Sequence, residues 1–449
     1  MASVNSPVSD RLRAVAKPAV RWGLGHLLPH QVMRHAARKG DLQGRMIQAS
    51  RRGDPFPIFE EVRSKGQLYR GRFAFVTTSL PTVREVLSSN DFRTGFDPGN
   101  AVTALGRIFQ WAADTGRLGP LEPPSLLVTE PPDHTRYRKM VSRVFSVRAV
   151  ENLRTRTEQI AAELLDDLAR QGDVVDLVEG YCTLLPVTVI SEILGVPASE
   201  RARILAFGEA AAPSLDLGLS WREFRQVEAA LLQFDSWLGS HLAHLRDHPG
   251  DDLLSQLVAE REDGVGLDER ELKATAGLVL AAGFETTVNL LGNGVALLRE
   301  HPDQLDKLTG DPSLWPNAVD EILRLDPPVL LTGRSALRDT EIAGVHVPAG
   351  ALVTTVLAAA NRDPSVFTDP TSFDVARENA KDHVSFSAGR HFCLGAALAR
   401  MEGEVGLRML FERYPELRTL PGARRRETRI LRGFATLPVR LGQRAEIAV

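Results

Sequence analysis

Between Ala276 and Leu298 the chain is apolar on nearly every helical face, and that run constrains the fold more than any other segment. A helix without a polar face must cross a protein core or a membrane. Glu285, Asn289 and Asn293 interrupt the run, which favours the core. Asp268 precedes it as an N-cap, with Glu269 and Glu271 in the first turn, where carboxylates meet the positive end of the helix. A carboxylate inside such a helix is costly unless paired or functional, so Glu285 is a candidate site residue. Gly283 also needs a reason, because glycine costs about 1 kcal/mol against alanine in a helix interior.

The chain holds two cysteines, Cys182 and Cys393. Cys393 lies in Phe386-Ser-Ala-Gly389-Arg390-His391-Phe392-Cys393-Leu394-Gly395, where a lone thiol cannot complete a zinc site. It can act as the single axial thiolate of a haem iron, a ligand that favours O–O cleavage. Gly389 permits a tight turn, and Gly395 lets backbone come close to a sulfur or a porphyrin. Apolar spacing from Leu394 to Arg408 predicts a helix whose N-terminus favours the charged form of the sulfur. Cys182 reads as a small core hydrophobe.

Four further segments precede the cysteine run. They are Glu130-Pro-Pro-Asp-His134-Thr-Arg-Tyr-Arg138, Ala282-Gly283-Phe-Glu285-Thr286-Thr287, Glu321-Ile-Leu-Arg324 and Ala360-Asn-Arg-Asp-Pro-Ser-Val-Phe367. With all five in this order, the chain resembles a bacterial cytochrome P-450 from about Asp54 onward, most of all the actinobacterial, mycobacterial-type members. Ser387 departs from the glycine that many members carry after the phenylalanine. The resemblance implies a mostly α fold with a small β-rich side (α+β), a triangular prism of helices around haem b (iron protoporphyrin IX). It also implies a monooxygenase that inserts one atom of O2 into a hydrophobic small molecule such as a lipid, steroid, terpenoid or polyketide.

Residue roles follow from the same resemblance. Cys393 would ligate the iron, with Gly395 beside it, and Ala282 and Gly283 would give clearance at the haem. Glu285 would relay protons and Thr286 would hydrogen-bond dioxygen. His134 and Arg138 share a helical face and, with Arg334 and His391, would clamp the haem propionates. Glu321, Arg324 and Arg377 would form a structural network bracing the cysteine loop. Electrons would come from a ferredoxin and an NAD(P)H-dependent ferredoxin reductase, steered to Arg136, Lys139, Arg143 and Arg400. Glu285 and Thr286 weigh against a peroxide-driven enzyme and against a haem sensor without turnover.

Length alone, 449 residues, suggests about three domains of ~150 residues. The resemblance replaces these with a basic N-terminal arm, 1–53, and one haem-binding domain, 54–449. Residues 1–52 carry ten cations against Asp10 and Asp41, whereas the whole chain has net charge −3 and does not single out nucleic acid. The arm reads as solvated and partly disordered. Contact with an anionic membrane through residues 1–50, using Val20, Trp22, Leu24, Leu27 and Leu28, is its alternative. No uninterrupted apolar stretch of ~18 residues and no signal-peptide pattern is found, and two cysteines suit a reducing compartment, so a cytoplasmic protein is expected.

Periodicity predicts helices over 58–65 and 80–88, a strand over 68–77, and helices through most of 133–325. A β pattern covers 329–355, and Ala435–Leu441 reads as a terminal strand. The resemblance implies an apolar pocket lined by the Gly- and Pro-rich loop 91–127 (Phe96, Leu105, Phe109, Trp111, Leu121), the 205–224 region with Phe207, the helix near Ala281–Thr286, Leu330–Thr332 and Phe434–Thr436. His241, His244 and His248 read as a surface cluster, and Arg424-Arg425-Arg426 as a solvated turn.

Overall fold

Twelve helices, taken in chain order, position the candidate site. In the computed structural model, which describes residues 16–94, 107–108, 111–112, 121–142, 145, 147–259 and 266–445, they are α1 Leu28–Arg38, α2 Leu42–Arg52, α3 Phe56–Arg63, α4 Leu80–Ser88, α5 Asp133–Ser142 and α6 Arg154–Gln171. They continue as α7 Leu184–Ile193, α8 Arg201–Ala211, α9 Trp221–Asp247, α10 Glu269–Glu300, α11 Trp315–Leu325 and α12 Ala396–Arg413. The strands are short: β1 Tyr69–Arg70, β2 Phe75–Thr77, β3 Phe92–Arg93, β4 Val174–Asp176, β5 Thr332–Ala336 and β6 Thr340–Ile342. They end with β7 Val345–Val347, β8 Leu352–Thr355, β9 Arg418–Thr419, β10 Arg424–Arg425, β11 Phe434–Thr436 and β12 Pro438–Arg440.

The apolar run becomes α10, which packs on α7, α9, α11 and α12. Its start is the expected Asp268 cap, closed by Glu271 into a reciprocal capping box. By length and composition α10 could cross a membrane. Its polar residues are met by protein instead, as where Asn293 Nδ2 donates to Asp326 O and Arg432 O at 2.9 and 3.1 Å. Leu290, Leu291, Val295 and Leu298 join α12 residues such as Val405 and Leu407 in the main apolar core.

The β-rich side is a five-stranded sheet ordered β1-β2-β8-β5-β3, with only β2–β8 parallel. The expected strand 68–77 is a hairpin, because the chain turns between Gly71 N and Ala74 O at 3.1 Å. Buried Gln43 satisfies that turn, donating to Ala74 O and accepting from Phe73 N. The expected terminal strand is likewise two. Leu437 N donates to Asp176 Oδ1, so β12 leaves β11 and pairs with β4 and β9. The helix predicted over 58–65 starts earlier, at Phe56, whose N–H is accepted by Asp54 Oδ1.

The described part of the N-terminal arm is not a solvated appendage. Trp22 donates its indole N–H to Leu219 O at 2.8 Å and meets Trp221 edge-on, while Arg21 pairs with Glu228 on α9. Ala36 and Met46 are buried where α1 packs on α2.

Candidate active site

Cys393 stands just before α12, at the mouth of a loop whose shape depends on its glycines and one serine. Cys393 N donates to Phe386 O at 2.9 Å and closes the loop. Within it Ser387 has φ 64° and Gly389 φ 67°, both left-handed. A left-handed backbone at Ser387 is one that glycine adopts more easily. At Gly389 a Cβ would collide with the Leu87 carbonyl and Ser88 Cα of α4, so no side chain fits. At Gly395 nothing beyond the adjoining chain would lie within 4 Å of a Cβ. Burial pushes the Cys393 thiol up; the Gly395 N–H, Arg138 and Arg400 pull it back. The residue keeps accessible surface despite this depth, so its sulfur faces an interior space.

A cationic cluster gathers round Glu130. His134 from α5 and His391 from the cysteine loop lie with ring centroids 4.4 Å apart. Arg390 reaches Glu130 at 3.2 Å, and His391 Nε2 lies 3.4 Å from it without hydrogen-bond geometry. Burial works to raise the Glu130 carboxyl, but His391, the Thr94 N–H and Arg390 bring it down to about 2. Burial, then His391 and Arg138, lower His134 to about 4. Arg334 on β5 is buried, which lowers it to about 10; it donates to Gly333 O at 2.9 Å and feels Glu130. Both His134 Nε2 and His391 Nε2 are buried without a hydrogen-bond partner. Cations therefore outnumber the one acid. Glu130 and Arg390, present in the motifs but given no role above, organise this cluster: Arg390 also donates to Ser89 O at 3.1 Å.

The core helix contributes the second half. Thr286 is half-buried and its hydroxyl donates to Ala282 O at 3.2 Å. Ala282 is exposed in the middle of this core helix, so it too borders interior space. At Gly283 a Cβ would sit 3.1 Å from Ile190 Cγ1, so the glycine also eases the packing of α7 against α10. Glu285 is buried; burial pushes its carboxyl up, while Arg426 at 3.2 Å opposes the rise. Of the three arginines 424–426, read above as a solvated turn, Arg424 is exposed on β10 while Arg425 and Arg426 are engaged. Arg425 donates to Asn293 Oδ1 at 2.6 Å and to Asp326 Oδ2 at 2.7 Å.

Glu402 on α12 escaped the sequence reading. It is buried, neither oxygen has a hydrogen-bond partner, and burial raises its carboxyl well above the ordinary range, opposed by Thr287. Its signal was a lone acid in an apolar helix face, the same signal that marked Glu285.

Below the loop, the expected triad is present. Arg324 donates to Glu321 through Nε and Nη2 at 2.7 and 2.8 Å, and Arg377 Nε reaches the same carboxylate at 3.1 Å. The remaining Arg324 donors go to the carbonyls of Asn361, Pro370 and Ser372. Asn361 carries the brace onward by accepting from Val384 N and donating to Ser385 Oγ.

Several candidates fall elsewhere. Arg136 pairs with Glu271 and Arg400 with Asp320, so two of the four docking cations are already neutralised, and Arg143 lies outside the described residues. His241 is buried on Trp237 rather than at the surface, and among the described residues no His, Cys, Asp or Glu cluster could hold a metal ion. Cys182 is fully buried, as expected. Of the expected pocket residues, Phe207 is buried and Trp111 and Leu121 exposed, while Phe96, Leu105 and Phe109 lie outside the described residues.

One interior-facing thiol, an excess of arginines over the one acid and the unpartnered buried His134 nitrogen fit an anionic, thiolate-ligated haem. Comparison with known proteins agrees. A family model described as Cytochrome P450 matches residues 313–441. Cytochrome P450 140 of Mycobacterium tuberculosis is 52% identical over 430 residues, covering 95% of this chain and 98% of that protein. The 6-deoxyerythronolide B hydroxylase of Saccharopolyspora erythraea is 44% identical over 317 residues, 70% of this chain and 77% of the other. In structure, ligand-free CYP164A2 of Mycobacterium smegmatis superposes with TM-score 0.79 at 33% identity, covering 89% of this chain and 99% of that one. The chain therefore belongs to the cytochrome P450 family, as a haem-binding monooxygenase of the actinobacterial class.

Proposed function

We propose that this monooxygenase hydroxylates a hydrophobic small molecule of lipid, steroid, terpenoid or polyketide type. Substrate–H, O2, two electrons and two protons become substrate–OH and water. The observation that carries the reading is Glu285 next to Thr286 in the core helix, because mere binding needs neither. When bound, haem supplies the iron chemistry that activates O2. Cys393 would hold the iron through its sulfur, and His134, Arg138, Arg334 and His391 would hold the propionates by charge-assisted hydrogen bonds. Gly395, with open space at its missing side chain, and the small, exposed Ala282 would leave room for the group. Glu285 takes a proton from the solvent side, and the Thr286 hydroxyl, by giving up its bond to Ala282 O, is free to donate towards the reacting oxygen.

A ferredoxin, reduced by an NAD(P)H-dependent reductase, supplies the electrons in a cytoplasmic setting. Residues 54–449 form the unit that carries this chemistry, and the described part of 1–53 packs against it. A relative named for hydroxylating 6-deoxyerythronolide B supports the substrate class.

The test is a library of such compounds, screened by the Soret shift of the ferric protein and followed by ferredoxin-driven turnover under ¹⁸O2. A hydroxylated product carrying one labelled oxygen is expected. Full turnover on peroxide alone, with none on ferredoxin and O2, would overturn the reading.

A further inference from the structure

The Arg424-Arg425-Arg426 run divides its labour. Arg425 is committed to Asn293 and Asp326. Arg426 points its Nη1 at Glu285 Oε1, 3.2 Å away, although that oxygen has no partner of hydrogen-bond geometry. The contact joins two unlike environments: the Arg426 side chain is 21% exposed and that of Glu285 6%. The arginine itself is well anchored. Its N–H donates to Gly433 O at 3.0 Å and its Nε to Phe434 O at 3.3 Å, both across the C-terminal hairpin.

The hairpin cannot drift from α10. Gly433 lies so close to Asn289, one turn after Glu285, that a Cβ there would collide with the Asn289 side chain. The distance from guanidinium to carboxylate is therefore set by backbone packing rather than by two freely moving side chains.

We propose that Arg426 is the positioning residue for Glu285: it holds the carboxylate on the hairpin side of α10 and supplies the charge that faces it. The proposal rests on the reading of Glu285 as the proton relay. Burial is the largest effect on Glu285 and favours the neutral acid; Arg426 opposes it, and Glu209 on α8 adds to it. Oε1 meets Arg426 without hydrogen-bond geometry, unlike the bidentate Glu321–Arg324 pair.

The test uses substrate-free ferric holoprotein and needs no knowledge of the substrate. The Glu285 carboxyl stretch is identified by infrared difference spectroscopy as the band lost in Glu285→Gln, and its intensity is followed against pH. In Arg426→Met the midpoint should rise by about one pH unit, a tenfold gain in proton affinity. Arg426→Lys, which keeps the charge but not the fork, should fall between that variant and the unaltered protein. An unchanged midpoint in both variants overturns the proposal; should Arg426→Met fail to hold haem, Arg426→Lys alone decides it. The parent reading fails separately: ferredoxin-driven coupling in Glu285→Gln equal to that of the unaltered enzyme removes the relay and leaves the infrared result standing.

Discussion

Two buried carboxylates, Glu321 and Glu285, show how one kind of side chain is put to opposite uses in this molecule. Glu321 is sealed from solvent and receives Arg324 through two nitrogens, Arg377 through one, and the Asp374 N–H at 3.1 Å. Glu285 is almost as deeply buried and receives one arginine contact that falls short of a hydrogen bond. A saturated buried ion can only be broken; an unsaturated one can change protonation or partner. The first suits a brace for the cysteine loop, and the second suits chemistry.

The contrast is broken most directly at Arg324. Arg324→Ala strands Glu321 among carbonyl oxygens and a lone Arg377, at a cost of about 3–5 kcal/mol. The expected outcome is protein that does not retain haem and unfolds well below the unaltered chain, measured by Soret absorbance and thermal denaturation. Normal holoprotein from this variant would remove the brace from the interpretation.

At Glu285 the expected signs are opposite for stability and function. Glu285→Gln removes a desolvated, poorly satisfied charge and leaves Arg426 close enough to solvent to be hydrated. Stability should rise by about 1 kcal/mol, the usual scale when a functional strain is relieved. Product formation under ferredoxin-driven turnover should fall about 10²-fold, the scale of a lost general acid–base group. A variant that is less stable and still active would place Glu285 with Glu321 as a brace.

Glu130 sharpens the comparison from a third position, since it is partly satisfied and only partly buried. Its folded carboxyl titrates at about 2 rather than the ordinary 4.5, so its contribution is complete above the ordinary value and is lost as pH falls through about 2. Acid unfolding of Glu130→Gln should therefore be flatter than that of the unaltered protein between these two values, and parallel to it at lower stability above them. Equal slopes across the window would mean that the cation cluster does not draw on this carboxylate.

How much of this was legible beforehand follows from distance along the chain. The Asp268 cap, the α10 core run, the cysteine loop and the Glu321–Arg324 pair are local patterns, and each appears where its spacing puts it. The left-handed Ser387 also lies within a recognisable motif, although its backbone angle is visible only in the fold. What stayed hidden is what the fold brings together from afar. Arg426 reads as solvent-facing in an arginine triplet until the hairpin docks it on Glu285, and Arg400 reads as a free cation until Asp320 is beside it. The split of strand 68–77 depended on Gln43, a residue of another element whose side chain replaces sheet bonds. Single-residue helical spacing carries no information on such partners.

Gly283 gives the smallest effect and separates packing from chemistry within one turn of α10. Were it kept free for a cofactor, Gly283→Ala would disturb the Soret spectrum whatever happens across the interface with α7. The structure places Ile190 Cγ1 and Cδ1 at 3.1 and 3.3 Å from the added methyl group, so the clash is with the end of one side chain. Alanine gains about 1 kcal/mol of helix propensity, while overpacking costs about 1–3 kcal/mol, so the net loss should be about 1 kcal/mol. Ile190→Val removes Cδ1, and the double variant should be more stable than the sum of the two single changes, because the residues share one contact. Thermal denaturation of the four proteins in the cycle measures this coupling. Additive losses with a shifted Soret band would return Gly283 to the haem side; a positive coupling with an unshifted band keeps it in the α7–α10 interface.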